Sequence, residues 1–335
     1  MADDGGVHED VERLDREGRE RGHGEAQDRA IRRLHGRRRY RWVVHARAPA
    51  STANLGPGFD TLAIALSLYV HVEVEPADEL SLRLEGEGGD LPADGTHLAA
   101  RVARQVLGHD RVAITVRSEI PVGRGLGSSA ALAVATAAAC GANDPLTLAA
   151  RLDGHPENAG ASVLGGLVAA ADVDGHPVTV RLPLDRGLAF VVLVPSRPLA
   201  TARARQALPA QVRLGEAAFN LGRLGLLIAG LGDRRLLVKE ATEDRLHQSA
   251  RASLFPQSGH LLAGLVDAGA LASCWSGAGP SLLGICTVEA APRVRGAGDE
   301  LLASAGVPGR ALLLKADLEG LGVEDPSLPA RAPSD

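Results

Sequence analysis

Alternation of apolar and polar residues predicts β-strands at two places in the chain. Residues 66–75 alternate valine with histidine and glutamate, and residues 111–118 alternate valine and isoleucine with polar or small residues. A period of two residues is typical of a strand with one face in the core and the other in water. We therefore expect at least two half-exposed strands in the first half of the chain.

The remaining apolar segments predict a mixture of further strands and helices. Short apolar runs bounded by turn residues predict strands, and longer runs of good helix formers predict helices. A loop is expected at residues 49–60 and a polar turn at residues 155–158. The predicted strands are 42–48, 167–172, 178–182, 188–194, 271–275 and 282–287, and the predicted helices are 96–107, 129–140, 145–152, 201–207, 214–231, 233–240 and 258–269, with a last helix and strand within 291–316.

The order of these elements predicts the α+β fold class, because strands and helices are mixed without a steady strand–helix repeat. A chain of 335 residues can form two domains of ordinary size. Residues 1–40 are dominated by Arg, Asp, Glu and Gly, and they contain too few apolar residues to offset chain entropy. We therefore predict a disordered charged tail at 1–40, domains at 41–186 and 187–322, and a flexible Pro-rich tail at 323–335.

Composition argues against several classes of function. The net charge of −5 and the aromatic content of 2% give no reason to expect nucleic-acid binding. The basic cluster Arg37–Arg41 leaves open whether the tail contacts RNA or an acidic partner, or is simply solvated. Cys140, Cys274 and Cys286 lack metal-type spacing and are expected to be buried reduced thiols. No secretory signal is visible, and apolar runs stop short of the ~20 residues of a membrane span, so we expect a cytoplasmic protein.

The most informative stretch is the glycine-rich segment Pro121–Ala130, between a predicted strand and a predicted helix. Three glycines at alternate positions let the backbone turn tightly and aim its N–H groups at a ligand. The helix that begins at Ser128 or Ser129 adds a dipole and free N–H donors, which favour an anion. The segment lacks the Lys of a P-loop and the third glycine of a dinucleotide fingerprint. From the residues alone, a phosphate site and a purely structural turn both remain open.

This segment resembles the Pro-x-x-x-Gly-Leu-Gly-Ser-Ser-Ala phosphate loop of the galactokinase, homoserine kinase, mevalonate kinase and phosphomevalonate kinase superfamily. Pro49–Asp60 resembles the first superfamily motif in its homoserine kinase form, and Ser276–Ser281 resembles the third, a glycine turn beside the nucleotide loop. The chain is thus identified as a member of this superfamily. The resemblance implies a two-domain fold with ATP and substrate in the cleft between the domains, an ATP-binding N-terminal domain, and a homodimer.

Four further segments are similar to homoserine kinases: Gly154–Asn158, Thr201–Pro209, Phe219–Asn220 and Asp244–Arg251. They imply Mg²⁺- and ATP-dependent phosphorylation of L-homoserine to O-phospho-L-homoserine, in threonine biosynthesis. Arginine forks suit the substrate carboxylate, and an aspartate suits its ammonium group. The implied substrate residues are Asn54, Asp60, His155, Asn158, Arg205 and Arg251; the implied ATP-binding residues are Pro121, Gly123, Arg124, Gly125, Leu126, Gly127, Ser128, Ser129, Ala130, His97 and Gly277; the implied catalytic residues and metal ligands are Ser129 and Asp153.

The chain departs from the family pattern in three places. In one motif Asp153 and Glu157 stand where the family has Glu and Asp. His97 stands where the family has Asn, and the segment from Cys140 to Leu152 is shortened. These changes bear on metal and nucleotide affinity. Two alternatives therefore stay open: a related kinase for another small alcohol, and a catalytically degenerate homologue that binds ligand. No residue in the motifs is assigned as a general base for the substrate hydroxyl.

Overall fold

The computed structural model describes residues 43–324. The predicted tail at 1–40 and residues 325–335 lie outside the described range, and the basic cluster Arg37–Arg41 lies there with them. Within residues 43–324, strands and helices are mixed around two separate β-sheets, as the α+β prediction requires.

The first sheet has seven strands and contains most of the N-terminal half. Its order is β11-β1-β2-β4-β3, and β5 extends it by pairing with β2 and β6. Only β3 and β4 are parallel among the pairings of this sheet in the described residues. The strands are β1 (Val44–Asn54), β2 (Gly58–Pro76), β3 (Ser81–Gly86), β4 (Val112–Ser118), β5 (Leu167–Val173), β6 (His176–Leu182) and β11 (Gly322–Glu324).

The second sheet has four antiparallel strands in the order β10-β7-β9-β8. Strand β7 is buried along its whole length, because its successive side chains alternate between two buried hydrophobic clusters, one on each face of the sheet. Trp275 at the end of β8 packs edge-to-face on Phe255, with ring centroids 6.2 Å apart. The strands are β7 (Leu188–Pro195), β8 (Ala272–Trp275), β9 (Leu282–Thr287) and β10 (Gly309–Leu314).

The helices pack on the sheets and on each other. The Ala-rich helix α2 is buried over most of its length against β1 and β2, because alanine side chains allow the helix to lie close to the strands. The helices are α1 (Leu98–Leu107), α2 (Ser128–Ala139), α3 (Pro145–Asp153), α4 (Pro156–Leu164), α5 (Thr201–Gln206), α6 (Leu214–Gly232), α7 (Gln248–Ala252), α8 (Ser258–Asp267) and α9 (Ala291–Ser304), with 3₁₀ turns at Arg234–Leu236 and Lys239–Thr242.

The predicted loop at 49–60 is wrong. Strand β1 continues to Asn54, and β2 begins at Gly58 after a tight turn in which Leu55 and Gly56 have positive φ angles of 50° and 81°. Helices α2 and α4 pack against this part of β1, and every side chain from 49 to 54 is buried. The stretch therefore shows no alternation of apolar and polar residues.

Other differences also follow from tertiary packing. The turn predicted at 155–158 is the start of α4, and the helix predicted at 233–240 is two separate 3₁₀ turns. Val323 and Glu324, assigned to the flexible tail, pair with Ala46 and His45 in the first sheet. The short elements β3, α7 and β11 were not predicted, because each is a single half-buried or very short segment. The three cysteines are free and buried, as expected.

One helix in the described residues, α6, is long and apolar enough to cross a membrane by length and composition alone, which the pattern of broken apolar runs did not predict. This is weak evidence for a span, since core helices of water-soluble proteins can pass the same test.

The turn at Gly56 gives a test of how tightly the two halves of the chain are packed. A Cβ on Gly56 would overlap the backbone carbonyl of Thr242, in addition to the cost of its positive φ angle. We expect Gly56→Ala to lower the free energy of unfolding by about 3 kcal/mol or more in urea denaturation. Gly108→Ala is the matched control, because Gly108 has φ 73° with no atom near a Cβ, and should cost only about 1–2 kcal/mol. Equal costs would mean that the Gly56 turn has room to relax.

Candidate active site

The glycine-rich loop joins β4 to α2 in a conformation that only glycine adopts readily. Gly123, Gly125 and Gly127 have φ angles of 67°, 75° and 65°. Gly127 is the N-cap of α2 and has no side chain to bond the first free N–H groups of the helix. A Cβ on Gly127 would overlap the Ser51 hydroxyl. The loop therefore presents unshielded backbone donors at a positive helix end, which is an anion site.

Neighbouring segments hold this loop in place. The Arg124 guanidinium donates to the carbonyl oxygens of Pro195 (2.9 Å), Val122 (2.7 Å) and Ser196. The Ser276 hydroxyl donates to the Gly125 carbonyl at 2.7 Å, so the third motif does lie beside the loop. Because the Arg124 side chain is engaged with these carbonyls, its part in the site is to shape the loop.

A cavity of about 410 Å³ lies between the loop and the second half of the chain. It brings together all six predicted substrate residues, along with both predicted metal ligands. A second cavity of about 320 Å³ shares Val122, Ser128 and Ser129 with the first. It is lined by His97, by leucines and valines, and by the polar residues Glu85, Glu87, Thr96 and Ser118. Of the predicted ATP-binding residues, Gly123, Gly125, Leu126, Gly127, Ser128, Ser129 and Gly277 line the first cavity, His97, Ser128 and Ser129 line the second, and Pro121, Arg124 and Ala130 line neither.

Two predicted substrate residues bond each other. The Arg205 guanidinium donates to both carboxylate oxygens of Asp60 at 2.7 and 2.9 Å, and both side chains are partly exposed. Asp60 itself has a positive φ of 51° and is held there because its backbone N–H donates to Asn54 Oδ1 at 2.9 Å. The Asn54 amide in turn donates to the Gly277 carbonyl at 2.8 Å. The motif residues thus form one connected array at the cavity wall.

Arg251 is the most deeply buried cation of the site, at 2% exposure. Its Nη1 group lies 3.0 Å from His247 Nδ1 and donates to the Gly277 carbonyl at 3.1 Å, while its Nε has no partner among the described residues. Burial lowers the pKa of Arg251 to about 10, opposed mainly by the negative charge of Asp60. The Arg205 and Arg251 guanidinium groups both lie 5.5 Å from the Phe59 ring centroid. Both cations therefore lie close to the partly exposed Asp60 carboxylate.

His247 is a part of the site that the sequence did not single out, although it lies within a segment similar to homoserine kinases. Burial lowers its pKa to about 4, so the ring is neutral at pH 7. Its Nε2 lies 2.8 Å from the Gly56 carbonyl, which places the proton there and leaves Nδ1 to accept from Arg251. The ring also stacks on Phe59 at 5.2 Å. The four-residue spacing before Arg251 was the available signal.

The buried Asp244 side chain holds the segment that carries His247 and Arg251. The Asp244 carboxylate accepts from the backbone N–H groups of Leu246, His247 and Gln248, and from the Asn220 amide at 2.8 Å. Although burial alone would raise the pKa of Asp244, His247 and these hydrogen bonds lower it below its usual value. The two segments singled out in the sequence, at 219–220 and 244–251, therefore meet to form the base of the Arg251 site.

The predicted metal ligands line the first cavity from opposite elements. Ser129 lies at the start of α2, and Asp153 is the last residue of α3. His155 Nδ1 lies 3.3 Å from Asp153 Oδ2, and this contact raises the pKa of His155 above its usual value against the effect of burial. The described residues contain no cluster of three or more His, Cys, Asp or Glu that could hold a metal ion. Two hard oxygen donors suit an Mg²⁺ ion that takes its other ligands from phosphate and water.

Glu157 is the second residue that sequence reasoning missed. It is 1% exposed and lines the cavity. Its Oε1 accepts from the Asn158 amide at 3.0 Å, and its buried Oε2 has no hydrogen-bond partner within the described part of the chain. Burial raises the pKa of Glu157 to about 7. Glu157 lies within Gly154–Asn158, a segment similar to homoserine kinases, but a single glutamate in a polar turn reads as exposed.

Comparison with known proteins identifies the class. Residues 96–166 match the family model "GHMP kinases N terminal domain", and residues 218–303 match "GHMP kinases C terminal". A mevalonate kinase structure from L. major superposes with a TM-score of 0.63 at 14% identity over 81% of this chain and 95% of that one, which shows the shared fold. The fold and the glycine loop are thus those of the GHMP kinases, which are ATP-dependent phosphotransferases.

More similar proteins narrow the class. A homoserine kinase of Desulfitobacterium hafniense is 35% identical over 84% of this chain and 100% of its own length. One from Thermus thermophilus is 40% identical over 79% of this chain and 94% of its own length. A homoserine kinase structure from Cytophaga hutchinsonii has a TM-score of 0.75 at 27% identity, covering 86% of this chain and 99% of that chain. The chain therefore belongs to the homoserine kinase family, and the predicted fold class and resemblance are confirmed.

The buried Glu157 carboxyl should make stability depend on pH. Its pKa rises from an ordinary 4.5 to about 7 on folding, so ionisation is disfavoured in the folded state. The contribution of the neutral Glu157 carboxyl to stability is complete below pH 4.5, and this contribution is lost as the pH rises toward 7. The neutral Glu157→Gln variant avoids that loss, and its free energy of unfolding should exceed that of the wild type by about 2–3 kcal/mol at pH 8.

The measurement is urea denaturation at pH 5 and pH 8. The gain should be small at pH 5 and develop between the two conditions. Glu243→Gln is the control, because that carboxylate is exposed in a surface pair with Arg223. A gain of the same size at both pH values would show that the Glu157 carboxyl does not change its protonation on folding.

Proposed function

We propose that the protein transfers the γ-phosphoryl group of ATP to the side-chain hydroxyl of L-homoserine, giving ADP and O-phospho-L-homoserine. One observation carries the proposal: a single cavity has an anion-binding helix end on one wall and the Asp60, Arg205 and Arg251 charges on another. Such a cavity can hold a nucleotide phosphate next to a small zwitterion. The identity of the relatives supports homoserine as that zwitterion.

On the nucleotide side, the loop backbone and the N-terminus of α2 would bind the β- and γ-phosphates. The adjoining cavity, whose lining combines apolar side chains with His97 and other polar residues, would take the base. Burial lowers the pKa of His97, so its ring is neutral, and Nδ1 accepts from the Ala99 N–H as the cap of α1. Nε2 then carries the proton and remains a donor. His97 can therefore both begin α1 and offer a hydrogen bond beside the nucleotide.

Ser129 and Asp153 would hold the Mg²⁺ that accompanies ATP, and the ion would offset the charge of the transferred group. The oxygen donors at these positions fit a hard cation, and Asp153 already lies in the cavity despite being one methylene shorter than the family's glutamate. The rest of the catalysis is positioning by this chain's own residues. The loop fixes the phosphate, and the charged wall fixes the acceptor.

On the acceptor side, the ion pair between Asp60 and Arg205 would exchange partners. A ligand carboxylate that binds Arg251 and draws Arg205 away leaves Asp60 without its cation. A ligand that also carries an ammonium group provides a new cation for Asp60, whereas a ligand with only a carboxylate does not. This logic favours amino acids over hydroxy acids such as mevalonate, and it rests on the Arg fork matching a carboxylate.

One prediction concerns the charged side chains Asp60, Arg205 and Arg251 of the cavity wall. Wild-type protein with ATP and Mg²⁺ should release ADP with L-homoserine, and much less with L-serine, L-threonine or mevalonate. Arg205→Ala should raise the KM for homoserine by about 10–100-fold, the loss of a charge-assisted bidentate contact, with the KM for ATP unchanged. Arg203→Ala is the matched control, since Arg203 is an exposed arginine of the same short helix α5.

Three outcomes of this assay would contradict the proposal. Equal loss in both arginine variants would remove Arg205 from the substrate site. Turnover with another alcohol in preference to homoserine would favour a related kinase. Nucleotide binding without turnover of any acceptor would favour a ligand-binding homologue.

Another prediction concerns the proposed Mg²⁺ ligands Ser129 and Asp153. Asp153→Asn and Ser129→Ala should each raise the Mg²⁺ concentration needed for half-maximal rate and lower kcat, by about 10-fold or more, while Asp153→Glu keeps the carboxylate and should remain active. Asp174→Asn in the exposed hairpin between β5 and β6 is the control. Unchanged Mg²⁺ dependence in Asp153→Asn would show that the ion is held elsewhere.

The proposal includes a cytoplasmic location, where ATP is supplied, and no nucleic-acid or membrane partner. A homodimer remains a prediction of the family resemblance.

A further inference from the structure

Glu157 is a buried ionisable group of the site to which the proposed reaction gives no role. A buried carboxylate oxygen without a partner is costly, and such groups persist where they do something that packing alone does not require. Glu157 Oε2 is such an atom within the described residues, and the side chain lines the cavity that holds the predicted substrate residues. The charged groups that act on it are His155, Asp60 and Asp153.

The other carboxylate oxygen of Glu157 belongs to a short chain of hydrogen bonds. Glu157 Oε1 accepts from Asn158 Nδ2 at 3.0 Å, and Asn158 Oδ1 accepts from the Ser51 hydroxyl at 2.8 Å. The Ser51 backbone N–H donates to the Leu126 carbonyl of the glycine loop at 3.1 Å. The chain therefore runs from Glu157 through the Asn158 amide to the phosphate loop.

These two contacts decide which way the Asn158 amide points. An amide can present its oxygen or its nitrogen to a neighbour, and a hydroxyl such as that of Ser51 can accept or donate. Only a carboxylate or carbonyl on the other side requires the NH₂ end. Glu157 supplies that acceptor, so it fixes Asn158 with its oxygen toward Ser51 and Gly127, close to the N-terminus of α2.

We propose that Glu157 is a positioning residue that fixes the Asn158 amide against the phosphate loop and thereby orients the acceptor hydroxyl for phosphoryl transfer. Asn158 lines the cavity and has one further N–H that can bond the acceptor. This inference rests on the proposed function and deepens it. It assigns Glu157 the role of hydrogen-bond acceptor, in contrast to a carboxylate that takes the proton of the acceptor hydroxyl.

The test compares two variants of similar size. Glu157→Gln keeps an acceptor oxygen for Asn158 and removes the charge, while Glu157→Met fills the same volume with no acceptor. We expect Glu157→Gln to keep kcat for homoserine phosphorylation within ~3-fold of wild type, and Glu157→Met to lower it by ~10–100-fold, the effect of a small misplacement of the reacting group. The KM for ATP should change much less than kcat in both, because Glu157 reaches the phosphate loop only through Asn158 and Ser51. Both variants should fold, since each removes an unpartnered buried carboxylate.

A double-mutant cycle tests whether Glu157 acts through Asn158. Asn158→Ala should lower kcat at least as far as Glu157→Met does, because it removes the contact with the acceptor itself. The double variant should be no slower than Asn158→Ala alone within ~2-fold, since residues that act through one contact are not additive. Glu243→Met, at the exposed pair with Arg223, is the control and should match wild type.

Several results would overturn the inference. A Glu157→Gln variant as slow as Glu157→Met would mean that the carboxylate itself is required, as for a proton acceptor. Additive losses in the double variant would mean that Glu157 acts independently of Asn158. A fully active Glu157→Met variant would leave Glu157 no part in the reaction. A wild-type protein that binds ATP but does not phosphorylate homoserine would overturn the proposed function and this inference with it, and is recognised before any variant is made.

Discussion

Direct contact between backbone segments is the constraint on which the active site depends. The end of β1, the glycine loop and the turn at Ser276–Ser281 hydrogen-bond to one another, through Ser51 N–H to Leu126 and Gly277 N–H to Ala53. The closest approach requires glycine, because Gly125 lies against the Ser276 carbonyl where a Cβ would overlap it. The contact ties a loop of the first sheet to a turn of the second. The cavity between them exists because these backbones meet.

Around this contact the protein arranges charges with unequal access to water. Asp60 and Arg205 are partly exposed and neutralise each other, whereas Arg251, His247 and Glu157 are buried and have pKa values shifted toward their neutral forms. Shifted pKa values of this kind concentrate at functional sites. Burial of an ionisable side chain, which is unfavourable elsewhere, there sets the charge that the site presents to a ligand. The exposed pair can exchange partners, and the buried groups hold its surroundings in place.

The sequence predicted the parts of the fold that depend on local pattern. Alternating strands such as 111–118 and the Ala-rich helix α2 were found close to their true bounds. A strand buried on both faces carries no alternation, so the sequence pattern predicts a loop at residues 49–54. The α4 helix was hidden by His155 and Pro156, which read as a turn but serve as N-cap position and first helical residue.

The site was predictable to the extent that motifs carried it. The six substrate residues named from motifs do meet in one cavity, although the residues alone left a phosphate site and a structural turn equally open. Glu157 and His247 lie within matched segments, but the motifs do not distinguish them from their neighbours. Their importance comes from burial, which depends on packing between distant segments and has no local signature.

The packing of Trp275 has a consequence for spectroscopy. The chain contains two tryptophans, and Trp275 is 1% exposed, with its ring against Gly279 of the third motif and its backbone N–H bonded to Gln248. Replacing Trp42 by phenylalanine would leave a single tryptophan fluorophore, located where the two halves of the cleft meet. Its emission would follow the polarity and rigidity of that junction directly, so rearrangement of the cleft could be timed in stopped flow without attaching a dye.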